Sequence, residues 1–300
     1  MVKKIVITGA TSFIGIHLIY EWLKNNAEIY AIIRPNSKNR YRIPSNNNIH
    51  IIELSMDEYK EIPTRIKNAD YFYHLAWEGA RAPYRDDKML QEHNYICSKV
   101  AMNAAYKIGC QLFLGSGSQA EYGKMGKLVN EEIACMPNTQ YGIYKLKTCN
   151  ELMALSTQYH MRFIWIRIFS IYGKYDYSQT LISTCISKMK NNESIELTES
   201  IQLWDFLYVG DAASAMVMFA NKTCKNGIYN LASGDIRPLK EYIVEMRDIL
   251  HSKSELRFGA VSYGTTGPVN LQPDVQKVKN ELNWAPQISF SEGILRTVAE

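Results

Sequence analysis

Over roughly the first 170 residues, six short runs dense in β-branched and aromatic side chains alternate with helical stretches. This rhythm constrains the fold more than any single motif. The candidate strands are 4–8, 28–33, 50–54, 70–75, 111–114 and 163–168. Several are apolar almost throughout, the mark of strands buried on both faces. Helical patterns fill 13–25, 87–108 and 141–159 between them. Strands separated in this way by helices imply crossover connections. The fold class expected is therefore α/β, a doubly wound parallel sheet. After Gly173 the rhythm changes. Helical runs at 180–190, 211–221, 239–251 and 274–282 are separated by extended pieces at 194–197, 228–231 and 255–258. This predicts a smaller C-terminal α/β region. The expected division is 1–172 for the first domain, with 205–232 packing onto it, and 173–204 with 233–300 for the second.

Composition excludes several classes. The chain has 300 residues, 46% hydrophobic and 21% charged, enough apolar material for a core. A net charge of +4 is too weak to point to nucleic acid. No run of about 18 apolar residues exists, so no membrane span is expected. The start, Met1 to Thr8, leads straight into a glycine loop and does not read as a leader, so a cytoplasmic location is expected. The six cysteines are scattered singly, as reduced interior thiols are. His74 ends an apolar strand and reads as an interior residue; His17 and His93 lie on helical patterns. No metal-type spacing occurs, and no metal is expected.

The first strand runs into Gly9-Ala10-Thr11-Ser12-Phe13-Ile14-Gly15, and a helix follows. A glycine turn in this place aims backbone N–H groups and a helix N-terminus at an anion. Gly9 permits the tight turn and Gly15 the close helix–strand contact. The second strand ends in Arg34, with Ser37, Lys38 and Arg40 beyond it and no acid at its end. An acid there would accept from a ribose 2′-hydroxyl; a guanidinium suits a 2′-phosphate. The cofactor expected is NADP(H).

Tyr141 and Lys145 are four apart in a helical pattern and share one face. A nearby ammonium favours a phenolate, so the Tyr141 pKa is expected to fall toward neutrality. The segment Gly115-Ser116-Gly117-Ser118-Gln119-Ala120-Glu121-Tyr122-Gly123 lies ahead of it, Ser118 being 23 residues before Tyr141.

These motifs resemble those of the extended short-chain dehydrogenases/reductases, the epimerase/dehydratase family, whose core is a Rossmann sheet. The glycine loop resembles its TGxxGxxG, with Ser12 in place of the middle glycine. Ser118, Tyr141 and Lys145 match its catalytic residues. Asn94 with Ser98 is similar to NxxxT, 167–173 to RxFNxYG with Ser170 for Asn, and 204–211 to RDFxYVxD with Trp204 for Arg. Residues 274–286 are similar to its DxxK…LGWxP ending. The resemblance implies cofactor contacts at Gly9, Thr11, Ser12, Phe13, Ile14, Gly15, Arg34, Ser37, Lys38, Leu54, Leu75, Ala76 and Trp77. It continues them at Asn94, Gly115, Ser116, Tyr141, Lys145, Ile168, Phe169 and Ser170. It implies substrate contacts at Glu78, Ser118, Gln119, Ser170 and Trp204, and a homodimer formed through helices 87–108 and 141–159.

The family implies a nucleoside-diphosphate sugar as substrate. Dehydratases follow the catalytic hydroxyl with an Asp-Glu pair; Gln119-Ala120 stand here and cannot do that acid–base work. Arg34 disfavours an epimerase with resident NAD. The expected reaction is NADPH-dependent reduction of a 4-keto-6-deoxyhexose nucleotide. The alternatives are a 4-epimerase and, because Ser118, Tyr141 and Lys145 all survive, less readily a non-catalytic NADP-binding protein.

Overall fold

The computed structural model describes residues 2–124, 126–264 and 267–299. The chain divides into two compact units, residues 1–124, 132–168 and 213–229 against 125–131, 169–212 and 230–300. The break expected after 172 falls after 168, residues 125–131 go with the second unit, and of 205–232 only 213–229 goes with the first.

In the first unit, the chain runs through β1 (Lys4–Thr8), α1 (Phe13–Lys24), β2 (Glu28–Ile33), β3 (Ile49–Glu53), α2 (Ile62–Arg65) and β4 (Tyr71–His74). It continues through α3 (Lys88–Lys107), β5 (Leu112–Ser118), α4 (Gln140–Gln158) and β6 (Arg162–Ile168). Strands β3, β2, β1, β4, β5 and β6 lie side by side in that order, each pair parallel. This is the doubly wound order. It places the reversal of winding between β1 and β4, where open α/β sheets bind ligands at their strand C-termini.

Alternate residues of each strand face opposite layers. On one face Phe72, Phe113 and Phe163 are in register on three adjacent strands. Their rings are near parallel, with centroids 5.4 and 6.4 Å apart. Ala101, Met102 and Ala105 of α3 and Cys149 and Leu152 of α4 close over them. On the other face Trp22 of α1 packs against Tyr71 and Tyr73 at 5.9 and 6.1 Å. All six cysteines are free thiols and five are buried, as expected of interior thiols.

Strand β5 extends to Ser118, four residues beyond the expected end. Gly115-Ser116-Gly117-Ser118 has little strand propensity, so its pairing with β6 must hold it extended. Trp165 on β6 occupies the space where side chains would stand: a Cβ at Gly115 would lie 2.5 Å from its ring and one at Gly117 2.3 Å.

The second unit contains β7 (Ser170–Tyr172), α5 (Leu181–Lys190), β8 (Ile195–Leu197), β9 (Leu203–Trp204) and β10 (Phe206–Tyr208). Helix α6 (Val209–Asn221) follows, with 213–221 counted in the first unit, and β11 (Gly227–Leu231) supplies the seventh strand beside β6. The chain ends with β12 (Arg237–Pro238), α7 (Leu239–Ile249), β13 (Leu256–Phe258), α8 (Gln276–Leu282) and α9 (Phe290–Ala299). Its core is an aromatic cluster in which Phe206, Tyr242 and Phe290 meet at 4.7–5.9 Å. The helix α9 was not expected from the sequence.

Candidate active site

The strand–helix turn after β1 is built by exclusion. Gly9 has φ +68°, and a Cβ there would stand 2.8 Å from the Ala76 amide nitrogen. A Cβ on Gly15 would stand 2.3 Å from the Gly9 carbonyl oxygen. Ser12 caps α1, its hydroxyl accepting from Gly15 N–H at 3.1 Å. As an acceptor in that bond, the hydroxyl keeps its own proton for donation. The N-terminus of α1 stands beside a cavity of about 550 Å³ lined by Gly9, Thr11 and Ser12 of the turn before it.

Gly9, Thr11, Ser12, Arg34, Leu54, Leu75, Ala76, Trp77 and Glu78 line this cavity, as do Met56 and Tyr59 from a 3₁₀ turn after β3. Phe13 and Ile14 belong to the first turn of α1, half-buried, and are not among the lining residues. Thr11 and Ser37 hydroxyls are 3.2 Å apart, and Arg42 Nη1 donates to the Thr11 carbonyl at 3.5 Å. Arg34, largely exposed, pairs with Glu78 at 3.2 Å. Lys38 is exposed, and Arg40 pairs with Glu53. The Arg34–Glu78 pair was not legible in the sequence, since its members are 44 residues apart.

The segment 76–79 is fastened to α3. Asn94 is fully buried and gives its amide to the backbone: Glu78 N–H donates to its Oδ1, and its Nδ2 donates to the Glu78 and Leu90 carbonyls. Asn94 thus supports the cavity wall and does not line it. Gln91, which sequence reasoning passed over, does equal work. Its Oε1 accepts from Trp77 Nε1 at 2.8 Å and its Nε2 donates to Gly79 and Tyr84 carbonyls at 2.9 and 3.1 Å. The only available signal was a glutamine one helical turn before Asn94. His74 is an interior residue, as expected. Its ring nitrogens meet Thr8 Oγ1 and Ser98 Oγ at 2.8 and 2.9 Å, and burial pushes its pKa down to about 3.

Ser118, Tyr141 and Lys145 come together as expected. Thr139 caps α4 by accepting from Gly142 N–H at 3.1 Å. Gly142 lets the helix end approach β5, since a Cβ would be 2.3 Å from the Ala120 carbonyl oxygen. The Ser118 side chain stands near enough to the Tyr141 phenol to lower its pKa. Lys145 Nζ donates to the Ser116 carbonyl at 2.6 Å and lies 3.8 Å from the Trp77 ring centre.

The expected acidification of Tyr141 is not found. Its pKa is raised, because burial outweighs the opposing influence of the Ser118 side chain and the Arg85 and Arg81 charges. The Lys145 ammonium is spent elsewhere, on the Ser116 carbonyl and the indole face, with its nitrogen 5.8 Å from the Tyr141 ring centre. Burial lowers the pKa of Lys145 itself to about 7, opposed by the Glu121 charge.

Ser118 is held by Glu121, whose Oε1 accepts from Ser118 N–H at 2.8 Å and Trp165 Nε1 at 3.0 Å. Its Oε2 accepts from Arg167 Nε at 2.8 Å, both side chains being buried. Gln119, half-buried, follows in a 3₁₀ turn, Ile168 ends β6, and Gly115 and Ser116 lie in β5. Phe169, Ser170 and Trp204 belong to the second unit, where Trp204 Nε1 donates to Ser170 Oγ at 3.0 Å. The Ser and Trp that stand for the family's Asn and Arg thus pair with each other.

The model of the NAD dependent epimerase/dehydratase family matches residues 5–232. The chain belongs to this family. Its members here are enzymes of the short-chain dehydrogenase/reductase type that modify nucleotide sugars. Similar curated proteins include CDP-abequose synthase of Salmonella muenchen, 25% identical, with 99% of this chain and 97% of that protein covered. The dTDP-4-dehydro-6-deoxyglucose reductase of Escherichia coli is also 25% identical, over 97% of this chain and 95% of its own. Among solved structures, UDP-N-acetylglucosamine 4-epimerase of Methanobrevibacter ruminantium superposes with a TM-score of 0.89 at 22% identity, covering 99% and 97%. UDP-glucose 4-epimerase of Thermotoga maritima gives 0.88 at 21%, again with 99% and 97% covered. These structural likenesses establish the shared fold. No helix among the described residues is long and apolar enough to cross a membrane.

Proposed function

We propose that the protein reduces the 4-keto group of a nucleoside-diphosphate 4-keto-6-deoxyhexose with NADPH. The observation that carries this reading is Arg34 at the end of β2, lining the cavity, where an NAD-reading acid would otherwise stand. The glycine turn, whose close backbone approaches a Cβ at Gly9 or Gly15 would forbid, fits a dinucleotide diphosphate. Thr11, Ser12 and Arg34 would hold the cofactor's phosphates, with Ser37 beside Thr11. When bound, NADPH supplies hydride to the sugar C4.

The chain's own residues supply the rest. Ser118 donates a hydrogen bond to the C4 oxygen and stabilises negative charge developing there. Tyr141 gives that oxygen its proton. Its raised pKa keeps the phenol protonated at neutral pH, the form a donor requires. Lys145, with one N–H on the Ser116 carbonyl, retains two donors in its ammonium form for the nicotinamide ribose hydroxyls. Gln119 and Ala120 after Ser118 offer no carboxylate for dehydration. The two relatives named as an abequose synthase and a 4-dehydro-6-deoxyglucose reductase support the same class of reaction.

The second reading, a 4-epimerase, is favoured by the relative named as a putative UDP-glucose 4-epimerase in Methanocaldococcus jannaschii, 26% identical over 98% of this chain. The purified protein separates the two. NADPH absorbance should fall in step with added CDP- or dTDP-4-keto-6-deoxyglucose, and Tyr141→Phe should slow this at least about 100-fold. Interconversion of UDP-hexoses without added cofactor, and no NADPH consumption, would overturn the reductase reading. The proposal includes a cytoplasmic homodimer, which light scattering at micromolar concentration tests for its dimeric part.

A further inference from the structure

Away from the catalytic residues, three side chains of different chemistry converge on one point. Asp57 stands in the first turn of the 3₁₀ segment Met56–Glu61. His93 and Cys97 are one turn apart on α3 and so share a face. Asp57 Oδ1 is 2.7 Å from His93 Nε2, Cys97 Sγ is 3.4 Å from the same nitrogen, and all three atoms lie within 4.8 Å of one another. We propose that Asp57, His93 and Cys97 form a site for a borderline divalent transition-metal ion of the Zn²⁺ class, with one coordination position left to solvent.

The decisive feature is that carboxylate and thiol address the same ring nitrogen. A proton relay of the Cys–His–Asp kind would use both nitrogens of the ring, one toward each partner. Here a neutral imidazole can donate from Nε2 to Asp57 or accept at Nε2 from Cys97, but not both. With protons alone, the sulfur keeps at most a weak share of the N–H that Asp57 takes. A cation satisfies all three at once: the imidazole carries its proton on Nδ1, the thiol gives up its proton to solvent, and three lone pairs face one centre.

The spacing also fits. Zinc–nitrogen and zinc–sulfur bonds of about 2.0 and 2.3 Å at a tetrahedral angle set N and S about 3.5 Å apart, close to the 3.4 Å seen here. The His93–Asp57 separation has to open by about 0.6 Å for the same geometry, and Asp57 is free to move, its side chain being 74% exposed. Cys97 is buried and fixed, His93 half-exposed, so the open position faces outward. Mixed N, S and O donors select zinc-like ions over magnesium or calcium, which prefer all-oxygen shells.

The ion would tie two walls of the cofactor cavity together. The 3₁₀ segment carries Met56 and Tyr59 of the lining, and Asn94, between His93 and Cys97 on α3, holds the Glu78 backbone. This inference does not depend on which sugar reaction is catalysed.

Cobalt(II) titration of the tag-free full chain tests it. The expected result is one equivalent bound, with a near-ultraviolet thiolate-to-cobalt absorption and visible bands of a four-coordinate ion, all erased by Zn²⁺. Cys97→Ser should abolish the near-ultraviolet band, and Asp57→Asn, an exposed and fold-neutral change, should weaken binding at least about tenfold. No thiolate band at millimolar Co²⁺, or a band that survives Cys97→Ser in the folded protein, would overturn the site.

Discussion

Lys145 Nζ rests 3.8 Å from the centre of the Trp77 indole while it donates to the Ser116 carbonyl at 2.6 Å. The lysine is almost fully buried, so its charge depends on these two contacts and on Glu121. A cation over an indole face is stabilised by about 0.5–2 kcal/mol. Trp77→Leu removes the ring and leaves Gln91 Oε1 without its donor. Turnover in the NADPH assay should fall about 10-fold, with the pH–rate limb near 7 moving to lower pH as the ammonium loses support. Trp77→Phe keeps a ring face and should stay within about threefold of the parent. Equal losses for both would assign the effect to the Nε1–Gln91 bond, which both variants lack, and not to a ring face.

The Arg34–Glu78 ion pair predicts opposite effects at its two ends. Arg34→Ala removes the guanidinium offered to a 2′-phosphate and should raise the KM for NADPH about 10- to 100-fold, with little change for NADH. Glu78→Gln releases Arg34 from its carboxylate partner and should tighten NADPH binding several-fold. Fluorescence titration with both cofactors checks the pair. An unaltered NADPH/NADH ratio in Arg34→Ala would place cofactor discrimination elsewhere.

Glu121 is wholly buried between the Ser118 backbone and Arg167. Replacing it by glutamine sets an amide against a guanidinium and leaves the buried cation of Arg167 uncompensated. The expected cost is about 3–5 kcal/mol in urea unfolding. A loss below about 1 kcal/mol would mean that water reaches Arg167 and takes over from the carboxylate.

His74 contributes an acid-sensitive term with a definite sign. Its folded-state pKa is depressed to about 3 by burial, whereas the unfolded chain takes up a proton near the ordinary value of about 6.5. Between these values the unfolded state binds the extra proton, so stability falls as pH falls, by about 1.4 kcal/mol per unit. His74→Asn should flatten the stability profile in this window. A slope identical to the parent's would assign the acid sensitivity to other groups.

Much of this molecule was legible in its residue order, for local reasons. Strands buried on both faces read as apolar runs, and β1 and β2 were bounded to the residue. The Tyr141–Lys145 pair and the glycine turn follow from helix periodicity and from the need for N–H groups at an anion. What the sequence left open depends on neighbours distant along the chain. The Gly-Ser end of β5 is extended only because Trp165 on β6 fills the space beside it. Tyr141 titrates upward because tertiary burial outweighs the charges around it, which an i, i+4 spacing cannot reveal. Asp57 meets His93 and Cys97, and Arg34 meets Glu78, because the fold brings separate segments side by side. Composition and periodicity set which elements form and which residue types can do chemistry. Solvation and cross-chain proximity set the protonation and partners of those residues, and both arise only once the layers pack.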